Sequence, residues 1–331
     1  MKSIRQISRF CLLALLAVST LTVLVAADSP FSVEELTDGI YLYRPADGDY
    51  TRTNSMVVER TDGLLVVDAQ PSPEAAGELL AEISRRHSAP IRYLVYSHQH
   101  TEAVGGASAF PATTLIVAAD NTQTAMNDPA SDLGAETKAR AADPATWTEP
   151  KRRPATLVVR SVAVLDDPVH PVEILVMGRP AHSSGDLLIK MAHVDLYYVG
   201  GLLFTDHNPY GNDANVGAWL GAFNHLLSER PKFVVGLRGP PIGRTDMISQ
   251  RDTLAWLRGQ VEARLVEMLP LNVVEDRVMA TTRIESRLDM DADPSFAYSM
   301  IHAVVEESAE ERRKRGRPFV ERENVPPAET P

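Results

Sequence analysis

Cysteine is almost absent from this chain. Of its 331 residues only Cys11 is a cysteine, and it lies inside an apolar leader. Beyond residue 27 there is no thiol, which excludes a disulfide framework and cysteine metal ligands. Positive charge is also in deficit: 33 Lys plus Arg stand against 44 Asp plus Glu, a net charge of −11. Nucleic-acid binding needs clustered Lys and Arg on phosphates, so this balance argues against it, and against a surface drawn to anionic lipid. No internal repeat of fixed period runs through the chain, which removes the solenoid architectures. What remains, 44% hydrophobic and 23% charged, is ordinary globular composition for one large domain or two small ones.

The first residues read as separate from the fold. Lys2, Arg5 and Arg9 precede an almost continuous apolar run from Phe10 to Ala27, which ends in the small residues Val25-Ala26-Ala27. That order predicts a signal peptide over 1–27, cut before Asp28, and hence a periplasmic or secreted protein. A retained membrane anchor is the alternative, because 18 apolar residues just suffice to span. Cleavage removes three cations and no acid, leaving 30 basic residues against 44 acidic ones, a net charge of −14.

Short β-type runs follow at 40–43, 55–58 and 64–67, the last two flanking the turn pair Asp62-Gly63. Ser72-Pro73-Glu74 predicts a capped helix start, and the helix stops near Arg86-His87. Residues 91–96 form a strand that runs into Ser97-His98-Gln99-His100, and 113–118 form another. The Ala-, Asp- and Pro-rich stretch 127–155 has no period and reads as an insertion with a helical turn or two, a candidate lid. Strands are then expected at 157–160, 172–177, 187–191, 196–199 and 233–235, with a helix at 217–227. Helices at 247–268 and 296–314 lead to a Pro- and Glu-rich tail, expected to be loose from 317 to 331.

Most of the nine histidines have bland expectations: His87 ends a helix, while His170, His225 and His302 have no partner at ligand spacing. His98 and His100 differ. They stand two apart at the end of an apolar strand, where alternate side chains point the same way, so both imidazoles face one metal. Glu102 and Gly105-Gly106 follow, adding a carboxylate and a tight backbone turn.

Here the chain resembles a known family. Gly63-Leu64-Leu65-Val66-Val67-Asp68, a capped helix, a second strand and S-H-Q-H-T-E-A-V-G-G are similar to the metallo-beta-lactamase superfamily, whose usual run is T-H-x-H-x-D-H-x-G-G. Ala181-His182-Ser183-Ser184-Gly185-Asp186-Leu187 resembles its third-histidine element. Gly200-Gly201-Leu202-Leu203-Phe204 resembles its G-D-L-L-F strand, and Val234-Val235-Gly236-Leu237-Arg238-Gly239-Pro240 its V-V-P-G-H-G-P turn. The resemblance implies a four-layer αββα sandwich of two mixed sheets over 28–245, with C-terminal helices over 246–316 packed on it. It also implies a first metal site of His98, His100 and His182, with Asp68 supporting the loop beneath them through hydrogen bonds, or else simply capping a turn.

At the second-metal positions the chain departs from the family, reading Glu102, Ala103, Gly201 and Arg238. Ala and Gly offer no donor, and a guanidinium repels a metal. Asp206 and His207 are weak candidates for substitute ligands. One zinc per chain is therefore expected, with a bound water of pKa about 7. Glu102 is expected to orient that water or accept its proton, and Arg238 to meet a substrate carboxylate or an oxyanion. The expected function is a mononuclear zinc hydrolase of a small ester, lactone, amide or thioester. The alternative is a degenerate periplasmic protein that binds a small molecule or a protein partner without turnover. β-Lactam hydrolysis, RNA cleavage and glutathione thioester hydrolysis each fit poorly with this pattern of losses or with the acidic charge.

Overall fold

Asp62-Gly63 turns the chain between two strands, and the first sheet grows outward from that hairpin. The computed structural model describes residues 29–46, 51–140, 145, 149–205, 208–285, 288 and 294–322, without the side chains of 136, 139, 140 and 284. In chain order the first sheet comprises β1 (Phe31–Thr37), β2 (Ile40–Pro45), β3 (Ser55–Arg60), β4 (Gly63–Val67), β5 (Ile91–Val95), β6 (Leu115–Ala119) and β7 (Leu157–Val159). Its pairs are antiparallel up to β4 and parallel from β4 to β7. The second sheet has the order β12-β11-β10-β9-β8, built from β8 (Val162–Leu165), β9 (Val172–Val176), β10 (Leu187–Met191), β11 (Leu196–Phe204) and β12 (Phe233–Arg238). Only its β11–β12 pair is parallel.

Strand alternation divides the apolar residues into layers. Leu42, Met56, Leu65, Val67 and Val95 of the first sheet meet Ile174, Leu187, Ile189, Tyr198 and Val235 of the second in a buried core. The opposite face of the first sheet, including Val57, Val66 and Leu94, is covered by Leu79 and Ile83 of α1 (Pro73–Arg86). The outer face of the second sheet, with Val199, Leu203 and Val234, is covered by helices. These are α5 (Val216–Glu229), α6 (Arg244–Val266), α7 (Leu271–Glu285) and α8 (Pro294–Lys314). The result is the expected αββα sandwich with two mixed sheets. Among the described residues no helix is long and apolar enough to cross a membrane; the leader 1–27 lies outside them.

The short helices α2 (Thr101–Val104), α3 (Asp120–Asn127) and α4 (Ala135–Arg140) complete the fold. Elements beyond the expected ones are β1, β8, α2, α3 and α7, while β11 runs to Phe204 and β12 to Arg238. Within the stretch 127–155, of which 141–144 and 146–148 lie outside the described residues, two arginines near its end reach back to neighbouring carbonyls. Arg152 donates to the carbonyls of Ala125, Asp128 and Ser131, and Arg153 to those of Ala107 and Phe110. The expected loose tail also needs correction over 317–322. Val320 bridges to Pro270, Phe319 packs on the core, and Arg322 pairs with the buried carboxylate of Glu275 and with Glu306. Residues 323–331 lie outside the described residues.

Candidate metal centre

The site is built where β5 ends. Ser97, one residue before His98, donates its backbone N–H to Asp68 Oδ1 (2.7 Å) and its hydroxyl to Asp68 Oδ2 (2.7 Å). A serine hydroxyl has one proton, and here the carboxylate takes it. Ser97 Oγ therefore accepts from His98 Nδ1–H at 2.9 Å, which turns His98 Nε2 inward toward Glu102. Tyr198 of β11 donates to the same Asp68 Oδ2 at 2.9 Å, tying the second sheet to the frame. Gly200 (φ +52°) lets β11 pass over this corner, where a Cβ would come within 2.1 Å of Ser97 Oγ. Asp68 is buried, and burial pushes its carboxyl up to about 6 against the opposing pull of His98, Ser97 and Tyr198.

His100 is fixed from its other side. Its Nε2 lies 2.9 Å from Asp213 Oδ2 and donates to it, while its Nδ1 faces inward, 3.0 Å from His182 Nε2. His182 sits in a turn closed by Asp186, which accepts from Ser183 Oγ (2.7 Å) and from the backbone N–H groups of Ala181 and Ser183. The three rings stand edge to face with centroids 5.0, 5.0 and 4.8 Å apart. Glu102 Oε1 closes the set, 3.2 Å from His98 Nε2 and 3.4 Å from His100 Nδ1, while Thr137 Oγ1 of α4 donates to its Oε2 at 3.2 Å. All four residues are buried, and their four inward atoms lie within 4.8 Å of one another.

The electrostatics favour a cation at this point. Burial opposes charge on His100, but the Asp213 carboxylate and then Glu102 hold its imidazolium well above the ordinary range. Burial would raise Glu102, yet hydrogen bonds from His100 and His98 hold it well below. Burial, reinforced by His100 and His98, pushes His182 far down, so its ring is neutral and its Nε2 is available. Tetrahedral Zn–N bonds of about 2.0–2.1 Å place ligand atoms about 3.3 Å apart. The 3.0 Å separation of His100 Nδ1 from His182 Nε2 fits that requirement, as do the three buried imidazole donors.

The other expected positions fall as follows. Gly201 lies against His182, where a Cβ would come within 2.2 Å of its Cδ2 and 2.5 Å of its Nε2. Ala103 is buried in α2. Arg238, buried at the end of β12, donates to the Arg52 carbonyl, while the Asn54 amide clasps the carbonyls of Gly236 and Gly239 on either side. Asp206 and His207 lie outside the described residues.

Of the remaining histidines, His87 caps α1 and bonds Tyr43 and Glu59, and His170 meets His193 at 3.0 Å. His302 belongs to the Glu275 cluster, where the guanidinium of Arg322 supplies the cation. Asp213, Thr137 and Tyr198 escaped sequence reasoning, because none falls within a recognisable spacing. The surplus of Asx residues in 211–215 marks a structured loop but not which carboxylate is used.

A cavity of about 150 Å³ is walled by apolar Leu202, Phe204 and Trp219 together with polar Asn208, Gln250 and Thr253. The rings of Phe204 and Trp219 also pack on His182, at 5.6 and 5.5 Å.

Known proteins agree with this architecture. The sequence pattern of the metallo-beta-lactamase superfamily matches residues 48–236. Among solved structures, a double mutant of the sec-alkyl sulfatase PisA1 superposes with a TM-score of 0.63 at 18% identity, covering 87% of this chain and 52% of that one. The stereoselective inverting sec-alkylsulfatase Pisa1 from Pseudomonas sp. gives 0.59 at 16% identity, with the same coverage of 87% and 52%. A metallo-beta-lactamase from Pontibacter korlensis gives 0.53 at 16% identity, covering 68% of this chain and 99% of that one. The chain thus spans about half the length of the alkylsulfatase structures it matches.

Proposed function

This chain belongs to the metallo-beta-lactamase superfamily, and on that basis we propose that it is a mononuclear zinc hydrolase acting on a small ester, lactone, amide or thioester. The observation that carries this reading is the convergence of His98 Nε2, His100 Nδ1, His182 Nε2 and Glu102 Oε1 in one buried cluster. The three histidines hold the ion. When bound, zinc acidifies a water and polarises the bond to be cut. Glu102 orients the attacking water and takes its proton at Oε1, while Thr137 steadies Oε2. Arg238 presents a permanent cation to a substrate carboxylate or a developing oxyanion. The cavity beside Phe204 and Trp219 takes an apolar portion of the substrate. The alkylsulfatase likeness adds sulfate esters to the substrates worth screening. The leader-like residues 1–27 support an exported protein.

One observation favours a second reading, a binding or accessory protein without turnover. A carboxylate at position 201 would overlap His182, so the bridging ligand common in the family has no room here.

Elemental analysis of metal per chain, beside a His98→Ala control, tests the proposal. About one zinc, lost in the control, supports the hydrolase reading and justifies a substrate screen. A folded chain that takes up no zinc on reconstitution overturns it and leaves the binding protein.

A further inference from the structure

The C-terminal helices lie outside the superfamily match, which ends at residue 236. Their hydrogen bonds nevertheless reach toward the histidines through one loop, residues 211–217. At its start, Gly211 N–H donates to Ser299 Oγ of α8 at 3.1 Å, and the Met300 sulfur packs so closely that a Cβ on Gly211 would come within 2.6 Å of it. At its end, the Glu307 carboxylate of α8 accepts from the N–H groups of Val216 and Gly217, capping α5. Arg258 of α6 holds Glu307 in place at 2.9 Å. Between these two clamps the loop touches both sides of the metal centre. Asp213 Oδ2 accepts from His100 Nε2–H at 2.9 Å, and Asn215 N–H donates to Ala181 O, next to His182, at 2.7 Å.

We infer that α8 is part of the metal centre: through Ser299 and Glu307 it holds the 211–217 loop so that Asp213 orients His100, making Asp213, Ser299 and Glu307 positioning residues for metal binding. The inference rests on the three-histidine reading above. The physics is that of an outer carboxylate on a ligating imidazole. It selects the tautomer that bares Nδ1, and it locks the ring plane. A half-exposed aspartate on a loop does this only if the loop itself is fixed, and the fixed points here are on α8. Side-chain exposure of 43% for Asp213 shows that burial alone does not hold it.

The test is cobalt(II) titration of the folded full chain, followed by d–d absorption, with zinc affinity measured by chelator competition. Asp213→Ala is expected to weaken zinc binding about 10- to 100-fold. Asp213→Asn keeps an acceptor for His100 and recovers part of that loss. Ser299→Ala and Glu307→Gln are expected to weaken binding severalfold and alter the cobalt spectrum, although neither residue touches a ligand. A role confined to stability would lower their melting temperatures and leave affinity and spectrum unchanged. Unchanged metal binding in both folded α8 variants overturns the inference. So does unchanged affinity in Asp213→Ala. Wild-type protein that binds neither cobalt nor zinc instead overturns the metal-centre reading itself, and this inference with it.

Discussion

Tyr198 and Asp68, 130 positions apart, meet in a 2.9 Å hydrogen bond beneath His98. Asp68 leaves β4 in one sheet and Tyr198 lies on β11 in the other, so one carboxylate joins the sandwich halves and orients a histidine. Replacing Asp68 with Asn keeps an acceptor and suits the left-handed backbone there, but removes the charge and one of the two matched oxygens. Asp68→Asn is therefore expected to fold and to bind zinc about 10- to 100-fold more weakly in chelator competition. Wild-type affinity would remove Asp68 from the histidine frame.

Restoring the family aspartate at position 201 does not restore a second metal. The side chain displaces the His182 ring, and overpacking of this kind costs about 1–3 kcal/mol. Gly201→Asp should hold less metal per chain than wild type and melt earlier. Two equivalents of zinc by elemental analysis would contradict this.

Acid stability has a separate origin. Asp167 is buried where it accepts from Thr61 N–H and Oγ1 and from the N–H groups of Val169 and His170, at 2.6–2.9 Å. Burial pulls its pKa up, but these four donors outweigh burial and hold it below the ordinary carboxylate range. The native state thus binds fewer protons here than the unfolded chain. The stabilisation is complete above about pH 4 and is lost as pH falls through the native value. Asp167→Asn should be less stable than wild type by about 1–3 kcal/mol at pH 7. Denaturant titrations should show that gap narrowing below about pH 4, whereas a gap independent of pH would be the contrary result.

Arg322 neutralises the buried carboxylate of Glu275. Arg322→Ala leaves that acid without its guanidinium and frees the Phe319–Val320 segment from one anchor. Loss of a charged hydrogen bond of this kind costs about 1.5–3 kcal/mol, which is a drop of several degrees in melting temperature. Metal content should stay at the wild-type value, because the cluster is distinct from the three-histidine centre.

The parts legible in sequence were those whose physics is local. Ser72-Pro73 announces α1 and Asp62-Gly63 announces a hairpin, whereas His98 and His100 do meet, but on the bend between β5 and α2 rather than along an extended strand. Linking His182 to them required motif resemblance, since no spacing rule reaches across 82 residues. Asp213 and Thr137 carry no periodic signal, and their roles arise only when loops meet. β8 was hidden because Val162 and Val164 sit on an exposed edge and mimic a loop as readily as a strand. The anchoring of 317–322 depends on Glu275 and Pro270, about fifty residues earlier, and composition alone reads that segment as loose.

Asp68 and Gln70 both adopt positive φ, +65° and +71°, a region in which a side chain costs about 1–2 kcal/mol and glycine almost nothing. Gln70 accepts from Thr53 N–H and donates to the Thr53 carbonyl and to Ser55 Oγ, so it also serves the strand beside the centre. Glycine at either position would relax the backbone but leave the buried Ser97 or Thr53 N–H without its side-chain acceptor, a loss of about 1–3 kcal/mol. The backbone strain at these two turns is thus offset by the buried polar groups they satisfy, in the same corner of the fold that carries the histidines.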